Sequence, residues 1–304
     1  MYIWKSLPTL NIGSEVHWLT SREIGQPGDG LIPFVDKVFS QRDRSDIQRF
    51  QIHCSDMHIN ISSDHIYRWI ASAVSLNVQE LRITIEAIDV RGDFEFPSCL
   101  ATCKSLSELE LVFITCRYCG DRKKIILPVS ISLPRMKSLR LTLRSLVFDD
   151  ENLANKFFSS CPALESLKMF CQFSNMKPIV SFPQLKRFGY YEIGNNDSIQ
   201  LCAPNLTCLR FHGCISSDYS MENLASLTSA DIFMFINNNE DGIRGKQWKI
   251  SAQKKRLYAN KMMKLLRGLY NVKDLRLSEY ILKVLQLPSV LCSMINALVV
   301  SYIL

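Results

Sequence analysis

Histidine is scarce in this chain: five residues in 304, at positions 17, 53, 58, 65 and 212. None forms an H-E-x-x-H or similar pair, which excludes a histidine-pair metal centre. No G-x-S-x-G stretch occurs, so the serine-nucleophile elbow is excluded as well. The glycines of Gly25-Gln-Pro-Gly-Asp-Gly30 lack a strand pattern before them and a helix pattern after them, so residues 13–32 read as a turn-rich, mobile surface loop and not as a phosphate cradle. The eleven cysteines are odd in number and lack the dense spacing of a secreted disulfide scaffold. The first fifteen positions hold charged and polar residues and no apolar signal-peptide core. An intracellular chain, of nucleus or cytoplasm, is the consequence, and the sequons at Asn60, Asn196 and Asn205 are read as chance occurrences. No catalytic residue, metal or cofactor is expected, and the chain is not read as an enzyme.

What the chain does have is repetition. Nine times an apolar residue is followed three and five positions later by two more, beginning at Ile47, Val78, Leu106, Met136, Leu164, Leu185, Leu206, Leu227 and Val272. Their spacings of 31, 28, 30, 28, 21, 21, 21 and 45 residues fall, apart from the last, in the period of leucine-rich repeats. One such repeat cannot bury its own apolar face and must stack on others. The spacing therefore predicts an α/β leucine-rich-repeat solenoid, an irregular horseshoe with a parallel sheet on its concave face and helices or irregular segments on its convex face. The irregularity follows from the missing asparagine at the ninth repeat position, where Cys214 is the one clear occupant.

Helices are expected from Pro33, with Phe34, Val35, Val38 and Phe39 at helical spacing, and after Asp64 as a cap. Two more are expected at Glu151 to Ser160 and at about Ala252 to Leu269, where Tyr258, Met262, Leu265, Leu266 and Leu269 form one apolar stripe. The 21-residue repeats leave no room for a long helix and should return by extended or 3₁₀ segments. Pro134, Pro162, Pro183 and Pro204 each stand two positions before a repeat's first apolar residue and are read as strand entries.

Strand alternation places the residues flanking each central apolar position on the exposed face. The later column reads Gln51, Arg82, Glu110, Arg140, Lys168, Gly189, Arg210, Asp231 and Arg276, five basic against two acidic. The earlier one reads Arg49, Glu80, Glu108, Ser138, Ser166, Arg187, Cys208, Ser229 and Asp274, two basic against three acidic. This face is the expected site for a protein target, with a weak preference for an acidic one, and Arg82, Glu110, Arg140, Lys168, Arg210 and Arg276 are its candidate contacts.

Several stretches in order resemble the plant F-box/leucine-rich-repeat proteins. They are Trp4-Lys-Ser-Leu-Pro-Thr-Leu10, Phe34-Val-Asp-Lys-Val38, Trp69-Ile-Ala-Ser-Ala-Val74, Phe96-Pro-Ser-Cys-Leu-Ala-Thr-Cys-Lys-Ser-Leu106 and Cys161-Pro-Ala-Leu-Glu-Ser-Leu167. The resemblance implies a substrate-recognition subunit of an SCF-type ubiquitin ligase, whose F-box docks a Skp-type adaptor while the repeats hold the target. Residues 1–12 are expected to be the remnant of an F-box end, with Trp4 and Leu7 as the adaptor-binding remnant, so adaptor binding by this chain is expected to be weak or absent. Residues 33–283 are expected to form the repeat domain, and 284–304 an apolar tail after which the family's C-terminal domain is missing.

Three segments admit other readings. Cys99, Cys103, Cys116 and Cys119 approach zinc-site spacing, but small buried or loop thiols are the preferred reading. Residues 243–273 hold ten Lys or Arg and no acid, against 26 basic and 29 acidic residues elsewhere, so the net charge of +7 is local. The segment 244–273 is read as a solvated helix face; the alternative is a ligase-independent scaffold or nucleic-acid-associated module that uses it. The uncharged tail is long enough to span a bilayer, yet its Gln286, Pro288, Ser289, Ser293, Asn296 and Ser301 favour a terminal repeat or an aberrant end. Neither nucleic acid nor membrane is an expected partner.

Overall fold

The last two apolar residues of all nine triplets lie in parallel strands, each strand starting two positions after the triplet's first residue. The computed structural model describes residues 5–13, 30–55, 61–89, 93–115, 123–148, 150–173, 177–192, 198–235, 251–285 and 299–300. It divides into two units, Met1–Leu164 and Glu165–Leu304. Most of the loop expected at 13–32 lies outside the described residues, as does most of the tail.

In the first unit β1 (Thr9–Ile12), β2 (Arg49–Cys54), β3 (Glu80–Asp89), β4 (Glu108–Thr115) and β5 (Ser138–Phe148) pair in chain order, each parallel to the next. Parallel neighbours need a crossover, which helices provide. These are α1 (Leu31–Ser40), α2 (Ser63–Ser75) and the short α3 (Ser98–Ala101), with α4 (Glu151–Ser159) after β5. Phe50, Ile52 and Cys54 of β2 are buried while Arg49, Gln51 and His53 between them stay half-buried. The buried side faces the helices: Phe39 of α1 meets Phe50 edge-on with ring centroids 5.1 Å apart, and buried Trp69 of α2 donates from Nε1 to Asp36 Oδ1 of α1 at 2.8 Å.

Two helix starts differ from expectation. Helix α1 begins at Leu31, before Pro33, because Leu31 is fully buried and the Phe34 amide already bonds the Gly30 carbonyl at 3.1 Å. Pro33 then sits in the first turn, where a missing N–H leaves nothing unsatisfied. Helix α2 is capped two positions before Asp64, by Ser62: its amide donates to His65 Nδ1 at 3.2 Å, and its hydroxyl lies 2.9 Å from the same nitrogen. Asp64 stands in the first turn, where its charge favours the helix dipole. Helix α4 begins as expected, with Asp150 Oδ1 accepting from the Leu153 amide at 2.9 Å.

In the second unit β6 (Ser166–Phe173), β7 (Arg187–Glu192), β8 (Cys208–Cys214), β9 (Ser229–Phe235), β10 (Asp274–Leu277) and β11 (Val299–Val300) again pair in parallel, in chain order. The short repeats return through Ile179–Ser181, Ser198–Cys202 and Asp218–Glu222, which form a separate three-stranded parallel sheet. Helix α5 (Ala252–Arg267) fills the long final gap, and α6 (Glu279–Leu285) follows β10. Tyr258, Met262, Leu265, Leu266 and Leu269 are all buried, as their stripe requires.

The four prolines sit one step earlier in the fold than a strand entry. Met136 N bonds Leu133 O, Leu164 N bonds Cys161 O, Leu185 N bonds Phe182 O and Leu206 N bonds Ala203 O, each closing a turn around the proline. Proline at the second turn position presets φ there, and the strand starts only after the turn. Hydroxyls are among the side chains that bridge successive repeats: Thr207 Oγ1 donates to Lys186 O at 3.0 Å and Thr228 Oγ1 to Thr207 O at 3.1 Å.

Candidate protein-binding face

Constant register turns the alternating positions of each strand into columns that run across the sheet. In the first unit Arg49, Glu80, Glu108 and Ser138 stand opposite one another, as do Gln51, Arg82, Glu110 and Arg140. The charges of these columns neutralise one another, within a column and between the two. Arg49 Nε reaches Glu80 Oε2 at 2.6 Å, Arg82 Nη2 lies 2.9 Å from Glu108 Oε2 and 3.5 Å from Glu80 Oε2, and Arg140 Nη1 lies 2.8 Å from Glu110 Oε1. The hydrogen bond from Arg49 holds the Glu80 carboxyl below its ordinary range, and the same bond raises Arg49. Pairs this exposed contribute little to stability. Their larger effect is to occupy the cations of this face.

The second unit is different. Its columns read Ser166, Arg187, Cys208, Ser229, Asp274 and Lys168, Gly189, Arg210, Asp231, Arg276. Arg187, Arg210 and Arg276 are exposed, and no described carboxylate lies within ion-pair distance of them. One residue beyond the triplets a third column adds Phe170, Tyr191, His212 and Phe233, in register on four adjacent strands. Their ring centroids are 5.8, 4.4 and 5.3 Å apart in that order. Lys168 Nζ lies 5.2 Å from the centre of the Tyr191 ring. It can lean there because Gly189 separates it from Arg210; a Cβ at Gly189 would stand 3.3 Å from Lys168 Cγ. Burial, aided by the charges of Arg210 and Lys168 and opposed by Asp231, holds the His212 imidazole below its ordinary 6.5, so it is neutral at pH 7.

The six candidate contacts thus divide. Arg82, Glu110 and Arg140 belong to the paired columns of the first unit, while Lys168, Arg210 and Arg276 belong to the second. The aromatic column is a feature that the sequence reading passed over, although its signal was present: the position after the last apolar residue of the triplet reads Phe170, Tyr191, His212 and Phe233 in consecutive repeats. Behind the sheet, buried Glu192 of β7 accepts from the Cys214 amide at 2.5 Å, from Ser217 Oγ at 2.9 Å and from the Tyr219 hydroxyl. A buried carboxylate with three donors is a structural joint. Burial, followed by the charge of Glu192, pushes the Tyr219 hydroxyl well above its ordinary pKa.

Of the other segments, Trp4, Cys116, Cys119 and residues 244–250 lie outside the described residues. Leu7 is 41% exposed, and its carbonyl accepts from Arg42 Nη2 at 2.6 Å. Cys103 is buried and Cys99 half-buried, with burial raising the Cys99 thiol. On α5 Lys254, Arg256, Lys264 and Arg267 are exposed opposite the apolar stripe, while Lys261 donates to the Ser216 carbonyl at 2.5 Å. Among the described residues no helix is long and apolar enough to cross a membrane.

A family profile described as "FBD-associated F-box protein At5g56370, LRR repeats" matches residues 66–244. The F-box/LRR-repeat protein At3g58930 of Arabidopsis thaliana is 26% identical over 94% of this chain and 60% of its own length. The F-box/FBD/LRR-repeat protein At1g78750 of the same plant is 26% identical over 77% of this chain and 50% of its own length. F-box/LRR-repeat protein At4g14096 is 24% identical over 79% of the chain and 49% of its own length. The chain therefore spans about half to three fifths of the length of these relatives. No solved structure matches it. Neither the profile nor these relatives name a catalytic activity.

Proposed function

Since the chain belongs to the leucine-rich-repeat family of plant FBD-associated F-box proteins, we propose that it is a protein-binding module that selects the target of an SCF-type ubiquitin ligase. The observation that carries this reading is the constant strand register, which sets polar and aromatic columns side by side on an open sheet face. Such a face works by binding and asks for no cofactor, so we read the chain as non-enzymatic and intracellular, in nucleus or cytoplasm. Docking of the Skp-type adaptor is assigned to an F-box, not to the repeats.

Reversing the exposed Arg187, Arg210 and Arg276 to Glu tests the reading. Capture of partners from plant extract should fall about tenfold or more while circular dichroism stays unchanged, because exposed substitutions change stability little and charge mismatch across an interface costs several kcal/mol. Undiminished capture would contradict it. The exposed cations of α5 favour one second reading, a ligase-independent or nucleic-acid-associated module. Loss of salt-sensitive nucleic-acid binding on replacing Lys254, Lys255 and Arg256 by Glu, with the sheet variant neutral, would select it.

A further inference from the structure

We propose that the aromatic ladder of the second unit, with the cations beside it, is a docking groove for an extended acidic peptide segment whose carboxylate side chains flank one aromatic or aliphatic side chain. The proposal rests on reading the open sheet face as the binding surface, and it names the part of that face and the chemistry of its partner. Phe170, Tyr191, His212 and Phe233 occupy one register position on four adjacent strands. With strands about 4.8 Å apart the ladder is about 14 Å long, the reach of four or five extended residues. Phe233 is 43% exposed at its end, a large apolar side chain left in water.

The charges beside the ladder set the partner's sign. Arg187 lies two residues before Gly189 in the same strand, and Lys168 and Arg210 stand on either side of that glycine. Arg187 and Arg210, both exposed, favour anionic groups beside the ladder. Lys168 and Arg210 are two strand spacings apart, about 10 Å, so they suit separate single charges along a chain better than one converged dianion. Neighbouring rings are inclined by 37°, 46° and 29° at close centroid distances, so Tyr191 and His212 each have a ring neighbour on both sides, and Lys168 lies over Tyr191. The edges left exposed carry the positive part of the ring quadrupole and suit carboxylates. Nucleobases need an open ring face to stack on, whereas the two inner rungs are flanked by rings on both sides. The columns of the first unit lack both features, since their arginines already hold carboxylates.

Phage-displayed random dodecapeptides selected on the whole chain provide the test, with enriched sequences resynthesised with fluorescein and titrated by polarisation. The proposal expects enrichment of Asp or Glu on both sides of Phe, Tyr, Trp or Leu. Affinity should fall about tenfold or more in an Arg187→Ser/Arg210→Ser variant and in Phe233→Ser, be retained in Phe233→Tyr, and be unchanged in Arg82→Ser/Arg140→Ser. It is overturned if no sequence is enriched, if enriched sequences lack acids, or if acidic peptides ignore the ladder variants. It is also overturned if phosphoserine peptides bind where their glutamate counterparts do not, or if an oligothymidylate binds the ladder in place of peptide. Loss confined to Arg82→Ser/Arg140→Ser would remove the ladder proposal and leave the open-face reading standing. Loss confined to a Lys254→Ser/Lys255→Ser/Arg256→Ser variant would remove both.

Discussion

Gly213 has no side chain because Tyr219 fills the space one would need: a Cβ there would stand 2.9 Å from Tyr219 Cζ and 3.2 Å from Glu192 Oε2. The absence of that carbon lets the Tyr219 hydroxyl reach Glu192, which ties β7 and the end of β8 to the strand Asp218–Glu222. Gly213→Ala should therefore destabilise by about 1–3 kcal/mol through overpacking. Tyr219→Phe should lose about 1.5–3 kcal/mol, the range for a hydrogen bond to a charged group, because it leaves a buried carboxylate short of one donor. Urea unfolding of both variants measures this, and values within error of the parent would show that the joint is not structural. None of this joint was legible in the sequence. Glu192 stands at a core-facing strand position, and its three donors come from residues 22 to 27 positions later, a distance over which no local pattern carries information.

At the scale of elements the reverse holds, because a strand announces itself through its own period. Each triplet, from Ile47 to Val272, contains the alternation that folds it, and the equal 21-residue spacings fix the register of β6 through β9 in advance. Helix starts were less legible. They turn on one hydrogen bond, such as that of Ser62 to His65, for which Asp64 was an equally good sequence candidate. The aromatic ladder was legible in principle, but only if the columns are followed one position beyond the triplet. The paired columns of β2, β3 and β4 make a prediction of their own. Glu80 is held below its ordinary 4.5 by Arg49, so the folded chain binds that proton at lower pH than the unfolded one. The pair's contribution is present above the ordinary carboxylate range and is lost as pH falls through the depressed value. Arg49→Ala should lower the unfolding midpoint slightly at pH 7, and the difference from the parent should shrink as pH falls through the depressed Glu80 value. A difference that does not shrink would mean that Arg49 acts through packing.

At the scale of the whole molecule, the formal charge of +7 is less informative than where the charge stands. The first unit spends its open-face arginines on its own glutamates; the second leaves Arg187 and Arg210 facing solvent beside a column of four rings; and α5 carries its cations on the side away from its buried stripe. Two basic surfaces of different kind therefore compete as partner sites, and they can be told apart by where a partner touches. The most direct measurement is photo-crosslinking from single benzoylphenylalanine substitutions in plant cells, placed at Phe233 on the open face of β9, at Leu257 on the exposed side of α5, and at Ile126 on the first unit. All three positions are exposed, so the probe replaces an apolar side chain already in water at each. The account predicts a crosslinked protein partner from Phe233 that disappears when Arg187 and Arg210 are replaced by Ser, and none from Leu257 or Ile126. Crosslinks from Leu257 or Ile126 with none from Phe233 would contradict it.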